Sequence, residues 1–375
     1  MRMRIVAALA AFWIAEAVAS STPHIESLAS PVTVRLRGLS AVSDQIAWAS
    51  GREGTVLHTI NGGGTWRVTP VPGAEALDFR DVQAFGADEA IVMGAGPGDA
   101  SRVYRTTDGG ATWTLVLRNA DPAGFFDCMD FDGDEGRLLG DPVGGRFQLY
   151  ASGDRGRTWT SAKGPRAAEG EAAFAASGTC VRRLPDATLV VTGGSRARAH
   201  FLPDRFARVG DWHALDAASA SPTPSSGLFS VAERGLDFVA VGGDYKDEAR
   251  PGARLGFQAF GKVVSIGNDE ASPEGTGNRW DGVSFEPWPV FSGAPPGYRS
   301  GVACNPARPV HCVATGPGGT DMLPPASAAR KSGPVAPAWM PLSREGYDSV
   351  ATAGRVFWFS GAEGRLGRLA LPPPD

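Results

Sequence analysis

The sequence predicts an all-β protein, a β-propeller of seven four-stranded blades closed by an N-terminal strand. A short pattern occurs three times and reads TINGGGTW at 59–66, TTDGGATW at 106–113 and SGDRGRTW at 152–159. The closing tryptophans Trp66 and Trp113 are 47 residues apart, and Trp159 follows after 46 more. A constant period in this range indicates a repeat architecture. No segment has a sustained 3.6-residue apolar period, so few helices are expected.

Each copy of the pattern lies between two apolar, β-branched runs and therefore predicts a β-hairpin with a glycine-rich turn. The Asp or Asn side chain accepts backbone hydrogen bonds just downstream, and glycine supplies a positive φ. The tryptophan covers the hairpin with a large apolar surface. The pattern is thus explained as a structural turn without a catalytic role. Its residues are Asn61, Gly63, Thr65 and Trp66, then Asp108, Gly110, Thr112 and Trp113, then Asp154, Gly156, Thr158 and Trp159.

The same rhythm of strand pairs continues beyond the third copy and gives seven units. They start near residues 36, 78, 125, 176, 228, 298 and 347. Six or eight blades are the alternatives, because 244–340 is irregular. Residues 244–290 are rich in Asp, Glu, Gly and Pro, and 322–338 lack a strand pattern. Residues 244–290 are interpreted as one blade with a long loop and a degenerate outer hairpin. The last unit has three visible strands, and residues 31–36 (PVTVRL) are predicted to supply the fourth. Closure of this kind leaves no open edge.

The N-terminus predicts a secretory signal peptide over residues 1–19. Arg2 and Arg4 precede an apolar stretch, and Ala17-Val18-Ala19 fits a small-residue cleavage site. A retained anchor helix is the alternative, although the apolar stretch is short for a membrane span. Export is therefore expected. The Ala-, Arg- and Gly-rich composition indicates a bacterium, so the periplasm or the medium is the expected location. The predicted organisation is a linker at 20–30, one propeller domain at 31–371 and a tail at 372–375, with no membrane span after signal cleavage.

Export makes disulfides feasible for the four cysteines. Cys304 and Cys312 flank a predicted hairpin turn, so they are candidates for a bridge across it. Cys128 and Cys180 hold equivalent places in successive innermost strands, and small apolar packing without a bond is the favoured interpretation. The four cysteines lack the CxxC spacing of a zinc site.

The formal net charge is −4, and the charged residues are interspersed along the chain. This argues against a nucleic-acid-binding surface, which needs a basic patch. The sequence has no P-loop, no GxSxG motif and no dinucleotide-binding motif, and its histidines propose no metal site. No cofactor and no metal are therefore expected, and the protein is expected to be a monomer.

In a propeller, the connections between blades share one face with the loops between second and third strands, and ligands commonly bind there, at the channel mouth. The sequence places polar residues of both charges on that face. They suit a carboxylate, a glycan or a partner loop, whereas individually they also suit hydrogen bonding between blades. The candidates are Arg80, Asp81, Asp127, Asp141, Glu171, Arg196, Asp244, Tyr245, Arg299 and Asp321.

The repeated pattern resembles the Asp-box, or BNR repeat, which occurs in sialidases, in sortilin-like receptors and in the Ycf48/HCF136 family of photosystem II assembly factors. The second and third copies match at Asp, Gly, Thr and Trp, whereas the first has Asn61 in place of Asp. The resemblance covers nearly the whole mature chain, best over 36–165. It implies that the box turns lie away from the ligand face, and that the protein is a scaffold that binds a protein partner or helps to assemble a complex.

The alternative is a secreted, sialidase-like or other glycoside hydrolase. Such an enzyme uses a pair of carboxyl groups, and a sialidase would also need an arginine triad and an F/Y-R-I-P motif. VRLRGL at 34–39 does not match that motif, so no catalytic residue is assigned. A cell-surface module without a small ligand is the third possibility.

Overall fold

The computed structural model describes residues 23–203, 212–217, 222–235, 237–249, 254–264, 279–287, 295–325 and 338–373. The predicted signal peptide lies outside these residues. They form seven antiparallel sheets around a central channel, each with four strands of one blade, which confirms the predicted fold class. Helix in this part of the chain is limited to two short 3-10 turns, Gly98–Ala100 and Ala362–Gly364.

The first three blades are regular and run from the innermost to the outermost strand in chain order. After the short strand β1 (Glu26–Leu28), blade 1 is β2 (Leu36–Ala41), β3 (Ala47–Gly51), β4 (Val56–Thr59) and β5 (Arg67–Val68). Blade 2 is β6 (Phe79–Ala84), β7 (Ala90–Gly94), β8 (Arg102–Thr106) and β9 (Thr114–Arg118). Blade 3 is β10 (Phe126–Asp132), β11 (Glu135–Val143), β12 (Arg146–Ser152) and β13 (Thr160–Ala162).

Blade 4 forms its own four-stranded sheet, and two extra short strands from its connecting segments extend the sheet of blade 5 to six strands. The extra strands are β14 (Glu171–Ala172) and β17 (Gly193–Gly194), and the blade itself is β15 (Val181–Leu184), β16 (Ala187–Val191), β18 (Arg198–Pro203) and β19 (His213–Asp216). Blade 5 is β20 (Ser226–Arg234), β21 (Asp237–Asp244), β22 (Arg254–Val264) and β23 (Arg279–Pro287). The irregular segment 244–290 therefore holds a long antiparallel outer pair, β22 and β23, rather than the degenerate hairpin expected for it.

Blades 6 and 7 complete the ring. Blade 6 is β24 (Gly301–Cys304), β25 (Cys312–Gly316), β26 (Gly319–Leu323) and β27 (Met340–Ser343). Most of the irregular segment 322–338 precedes its outer strand and lies outside the described residues. Blade 7 is β28 (Ser349–Ala353), β29 (Val356–Ser360) and β30 (Leu366–Ala370), with β1 as its outermost strand.

The closing strand lies upstream of the predicted one. Strand β1 pairs antiparallel with β30, with Leu28 opposite Leu366, so it lies within the predicted linker at 20–30. The prediction that residues 31–36 close the ring was wrong, because these residues cross from the outer edge of blade 7 to the channel, and Leu36 already begins β2. Leu28 packs against the core shared by Trp66 and Trp358, which anchors this short strand.

Short polar side chains on or just before the innermost strands form hydrogen bonds to the next blade all the way around the ring, to its backbone at every junction except that of blades 4 and 5, where two hydroxyl groups meet. This satisfies buried backbone groups where blades meet. The contacts, in order from blade 1, are Ala84 N–H to Ser40 Oγ, Met129 N–H to Asp81 Oδ2, Arg183 N–H to Asp130 Oδ2, Thr179 Oγ1 with Ser230 Oγ, Val302 N–H to Ser230 Oγ, Ser300 Oγ to the Asp348 carbonyl, and Ser349 Oγ to the Arg37 carbonyl.

The repeated pattern forms the turn between third and fourth strands in blades 1 to 3. In blade 2, Asp108 Oδ1 accepts from the Thr112 N–H at 2.8 Å, and Oδ2 accepts from its hydroxyl at 2.6 Å. These hydrogen bonds, first of all that of the Thr112 hydroxyl, lower the pKa of Asp108 to about 2. The Gly109 N–H donates to the Asp88 carbonyl in the turn between the first two strands, so both turns lie on one face.

Two disulfides use all four cysteines of the chain. Cys304 and Cys312 stand directly opposite each other across the hairpin of blade 6. Cys128 and Cys180 are also bonded, which contradicts the unbonded packing that was favoured. Their innermost segments belong to neighbouring blades and bring the two Cα atoms to 5.8 Å, within reach of a disulfide.

The disulfide between blades is expected to contribute more stability than the hairpin disulfide. Cys128 and Cys180 are 52 residues apart, whereas Cys304 and Cys312 are 8 apart. The chain-entropy relation gives about 4 kcal/mol for the longer loop and about 2.5 kcal/mol for the shorter one. Denaturant unfolding of Cys128→Ala/Cys180→Ala and of Cys304→Ala/Cys312→Ala measures the stability that each disulfide contributes. An equal loss, or a larger one for the hairpin, would contradict this expectation.

Candidate functional site

A cavity of about 540 Å³ opens at the channel mouth. Its walls come from the segments that lead into the innermost strands of all seven blades. These include Arg35 and Arg37, Arg80, Phe125 and Asp127, Phe174, Phe229, Tyr298, and Asp348. Because β6 runs from this face toward the Asp88 turn, the cavity lies opposite the box turns. The fold and this cavity define a closed propeller with a polar cleft on its axis.

Three arginines, Arg35, Arg37 and Arg80, line this cavity. Arg35 forms a two-pronged ion pair with Asp348, with its Nε 2.8 Å from Oδ2. Arg80 binds Asp78 at 2.9 Å, and its guanidinium carbon lies 5.9 Å from the centre of the Phe125 ring. Arg37 differs from both because, within the described chain, no carboxylate pairs with it and its buried Nε has no hydrogen-bond partner.

The environment of Arg37 is unfavourable for a cation. Burial lowers the pKa of Arg37 to about 10, and the positive charge of Arg80 adds to this effect. The guanidinium remains charged at neutral pH, since that value is well above 7. An anion in the cavity would relieve both effects, because it would supply a counter-charge and acceptors for the free N–H groups.

Two carboxyl groups, Asp127 and Asp141, lie in the same cavity. Asp127 is 1% exposed, and its Oδ2 is buried without a partner among the described residues. Burial, followed by the neighbouring Asp141, raises the pKa of Asp127 well above its ordinary value, although Arg80 opposes the shift. Burial also raises the pKa of Asp141, whose Oδ1 accepts from the Ala173 N–H at 3.0 Å. Burial therefore favours the neutral form of both carboxyl groups.

Four aromatic side chains also line the cavity, namely Phe174, Phe229, Tyr245 and Tyr298. Phe174 stacks on Phe229 with ring centres 4.1 Å apart. Tyr298 meets Phe229 edge-on at 4.9 Å, and Tyr245 lies 6.1 Å from Phe174. Tyr245 is 44% exposed, whereas Phe229 and Tyr298 are buried.

Four of the ten predicted face residues line the cavity, namely Arg80, Asp127, Asp141 and Tyr245. The other six do not. Asp81 is buried between blades 2 and 3, where it accepts from the Met129 N–H at 2.7 Å. Arg196 is exposed and paired with Asp216 at 2.5 Å. Asp244 is buried, and it accepts hydrogen bonds from the Thr223 hydroxyl and the Lys246 N–H.

Glu171 holds the connection between blades 3 and 4 rather than a ligand. Its carboxylate accepts hydrogen bonds from Thr192 at 2.6 Å, from Arg198 at 3.0 Å and from His200 at 3.0 Å. Burial alone would raise the pKa of Glu171, but the hydrogen bonds of His200, Arg198 and Thr192 outweigh it and lower the pKa to about 2. All these partners are internal, so this carboxylate is a structural element.

Arg299 and Asp321 form a buried ion pair within blade 6. Each side chain is 2% exposed, and Arg299 Nε lies 2.7 Å from Asp321 Oδ2. Arg299 also donates to the Tyr298 carbonyl at 2.9 Å. This arginine contacts the cavity wall from behind, and its side chain does not line the cavity, contrary to its expected place on that face.

The sequence reasoning missed Arg35, Arg37, Phe174 and Phe229, all of which line the cavity. Arg35 and Arg37 occur in VRLRGL, at the start of the first innermost strand, which is the position that singled out Arg80 in the next blade. This equivalent position in the repeat could have identified Arg35 and Arg37 as cavity residues. Phe174 lies in a connection without repeat pattern, and no sequence signal marks it as a wall residue.

Solved structures share this fold. A Ycf48 protein bound to a D1 peptide aligns with a TM-score of 0.56 and 14% identity, over 94% of this chain and 98% of that one. Ycf48 from Cyanidioschyzon merolae aligns with a TM-score of 0.57 and 16% identity, over 92% and 99%. Virginiamycin B lyase from Staphylococcus aureus aligns with a TM-score of 0.57 and 11% identity, over 94% and 100%. The chain is thus a Ycf48-like β-propeller in fold, and this fold carries both a peptide-bound protein and a lyase.

At the level of sequence, none of the protein-family models matches the chain, and no curated protein matches it. Among the described residues, no helix is long and apolar enough to cross a membrane. The same residues include no group of three or more His, Cys, Asp or Glu side chains arranged to hold a metal ion.

Proposed function

We propose that this protein is an exported propeller that binds an anionic segment of a protein partner at its channel mouth and serves as an assembly scaffold. The observation that carries the proposal is Arg37, a cavity-lining cation without an ionic partner in the described chain, beside Arg80. A carboxylate in the cavity would supply the missing acceptor. Peptide binding by a protein of the same fold supports a peptide as the source of that carboxylate.

Export is the second part of the proposal. The N-terminal residues 1–19 have the charge and apolar pattern of a secretory signal. Two disulfides that use all four cysteines suit an oxidising compartment, such as the bacterial periplasm or the medium. Cell fractionation of a tagged full-length chain tests this part, and a tagged protein that stays unprocessed in the cytoplasm would contradict it.

Covalent crosslinking of the tagged mature protein in living cells, followed by mass spectrometry, tests partner binding. We expect one dominant protein partner. Affinity for that partner is then expected to fall about 10- to 100-fold in Arg37→Ala, since one charge-assisted hydrogen-bonding group is lost. Titration calorimetry at two salt concentrations measures the loss and its electrostatic character.

Arg196→Ala is the matched control, because Arg196 is an exposed arginine outside the cavity. It is expected to bind the partner like the unmodified protein. An equal loss in both arginine variants, or none in Arg37→Ala, would place the partner elsewhere.

A glycoside hydrolase is the second candidate, because Asp127 and Asp141 bring two carboxyl groups with raised pKa values into one cavity. A protonated carboxyl group is what a glycosidase uses as its general acid. Release of nitrophenol from a panel of aryl glycosides tests this candidate. Cleavage that disappears in Asp127→Asn would establish it, whereas no cleavage by the folded protein across the panel would remove it.

A further inference from the structure

The four aromatic residues Phe174, Phe229, Tyr245 and Tyr298 line the same cavity as the arginines. We infer that they form a subsite for an aromatic or large aliphatic side chain, next to the anionic group that the arginines bind. The inferred occupant is a partner segment with a large apolar residue beside an acidic residue. This inference rests on the proposed function and specifies the chemistry of the partner.

We call these four residues the aromatic wall, and the backbone around them fixes its position. Phe174 reaches Phe229 because Gly193 has no side chain, since a Cβ there would lie 2.6 Å from the Phe174 ring. The short pairing of β14 with β17 places the segment just before Phe174 against the same strand. A close approach of this kind fixes the position of the ring, as is needed for a preformed site.

One ring of this wall, that of Tyr245, is exposed to solvent, with the Lys246 amino group 6.0 Å from its centre. Tyr245 is among the few large apolar side chains that are exposed in the described chain, and the others are Ile60, Val68, Leu115 and Met340. Only Tyr245 of this group lines the cavity. A ring or a branched aliphatic chain packed against Tyr245 and Phe174 would remove their surface from water and gain aromatic contacts.

Tyr298 is the residue of the aromatic wall that lies near Arg37, Arg35 and Asp348. Its ring contacts Phe229, and its pKa is raised first by burial and then by the charge of Asp348, with Arg37 and Arg35 opposing. The apolar wall and the unpaired guanidinium of Arg37 therefore share one cavity of about 540 Å³. A ligand that satisfies both needs an apolar group and an anion on neighbouring positions.

Selection of a displayed library of random hexapeptides on the immobilised mature protein tests the inference. The selected peptides are expected to pair Phe, Tyr, Trp or Leu with a neighbouring Asp, Glu or terminal carboxylate. Enrichment of acidic residues without a neighbouring apolar residue would overturn the aromatic subsite and leave the proposed function standing. No enrichment at all, together with no partner in the crosslinking experiment, would overturn both.

Variants then locate the subsite. A selected peptide and its copy with alanine at the apolar position are expected to differ about tenfold or more in Kd on the unmodified protein. In Tyr245→Ala, this difference is expected to disappear while the dependence on Arg37 remains. Leu115→Ala is the control, because Leu115 is an exposed apolar residue on β9, away from the cavity. An undiminished difference in Tyr245→Ala would overturn the inference.

Discussion

Replacing Arg299 by alanine is expected to lower the free energy of unfolding by about 3–5 kcal/mol, because it leaves a buried charge without its partner. Arg299 and Asp321 are each 2% exposed and bind each other at 2.7 Å. Without the guanidinium, the Asp321 carboxylate would keep the full cost of burial. Urea or guanidinium unfolding at neutral pH measures the loss.

Acidification is expected to reduce this loss. Burial raises the pKa of Asp321, and Arg299 acts against that shift. In Arg299→Ala the opposing charge is gone, so the pKa of the folded state rises further above that of the unfolded state. A folded state that binds the extra proton gains stability as pH falls. The gap between Arg299→Ala and the unmodified protein should therefore narrow from pH 7 toward acidic pH.

The double variant Arg299→Met/Asp321→Leu is the control. It removes both charges while keeping apolar volume, and such replacements of buried pairs are often neutral or stabilising. We expect it to recover most of the stability lost in Arg299→Ala. A single variant as stable as the unmodified protein would show that the pair is not desolvated. A double variant as unstable as the single one would indicate lost packing instead.

The fold was predictable because one physical signal recurs. The turn residues Asn61, Asp108 and Asp154 mark three hairpins at a constant spacing. A constant spacing of this length indicates a repeat architecture, here a propeller. The closing strand was placed wrongly because Glu26–Leu28 is three residues long and has no alternating apolar pattern. Its position depends on the packing of Leu28 against a core formed by distant residues, which local pattern cannot reveal.

The site was predictable only in part, because polar residues at the start of an innermost strand either line the cavity or bind the next blade. Asp81 and Arg80 are neighbours at the start of the same strand, yet Arg80 lines the cavity and Asp81 binds the next blade. A strand alternates its side chains between its two sides, and a β-bulge between Phe79 and Asp81 shifts the register there. Composition at the channel face therefore indicates a polar mouth, whereas the register decides which side chain reaches it.

Replacing Trp66 by alanine is expected to cost about 3–5 kcal/mol, as for truncation of a large buried aromatic residue. Trp66 is 7% exposed and meets Trp358 of blade 7 edge-on, with ring centres 5.9 Å apart. It belongs to the core that also holds Leu28 of the closing strand. The truncation would thus leave a void at the junction between the first and last blades, where the ring is closed. Thermal and denaturant unfolding measure the effect.

Trp113→Ala is the matched comparison, because Trp113 is the equivalent box residue of blade 2. Its side chain is only half-buried, and it meets Trp48 of blade 1 at 6.4 Å. Because Trp113 buries less apolar surface on folding, the loss of unfolding free energy should be smaller than for Trp66→Ala. Equal losses would mean that the box tryptophan contributes mainly within its own hairpin. A negligible loss in both variants would refute the structural role of the box, whereas the expected order would show that burial between blades sets its contribution.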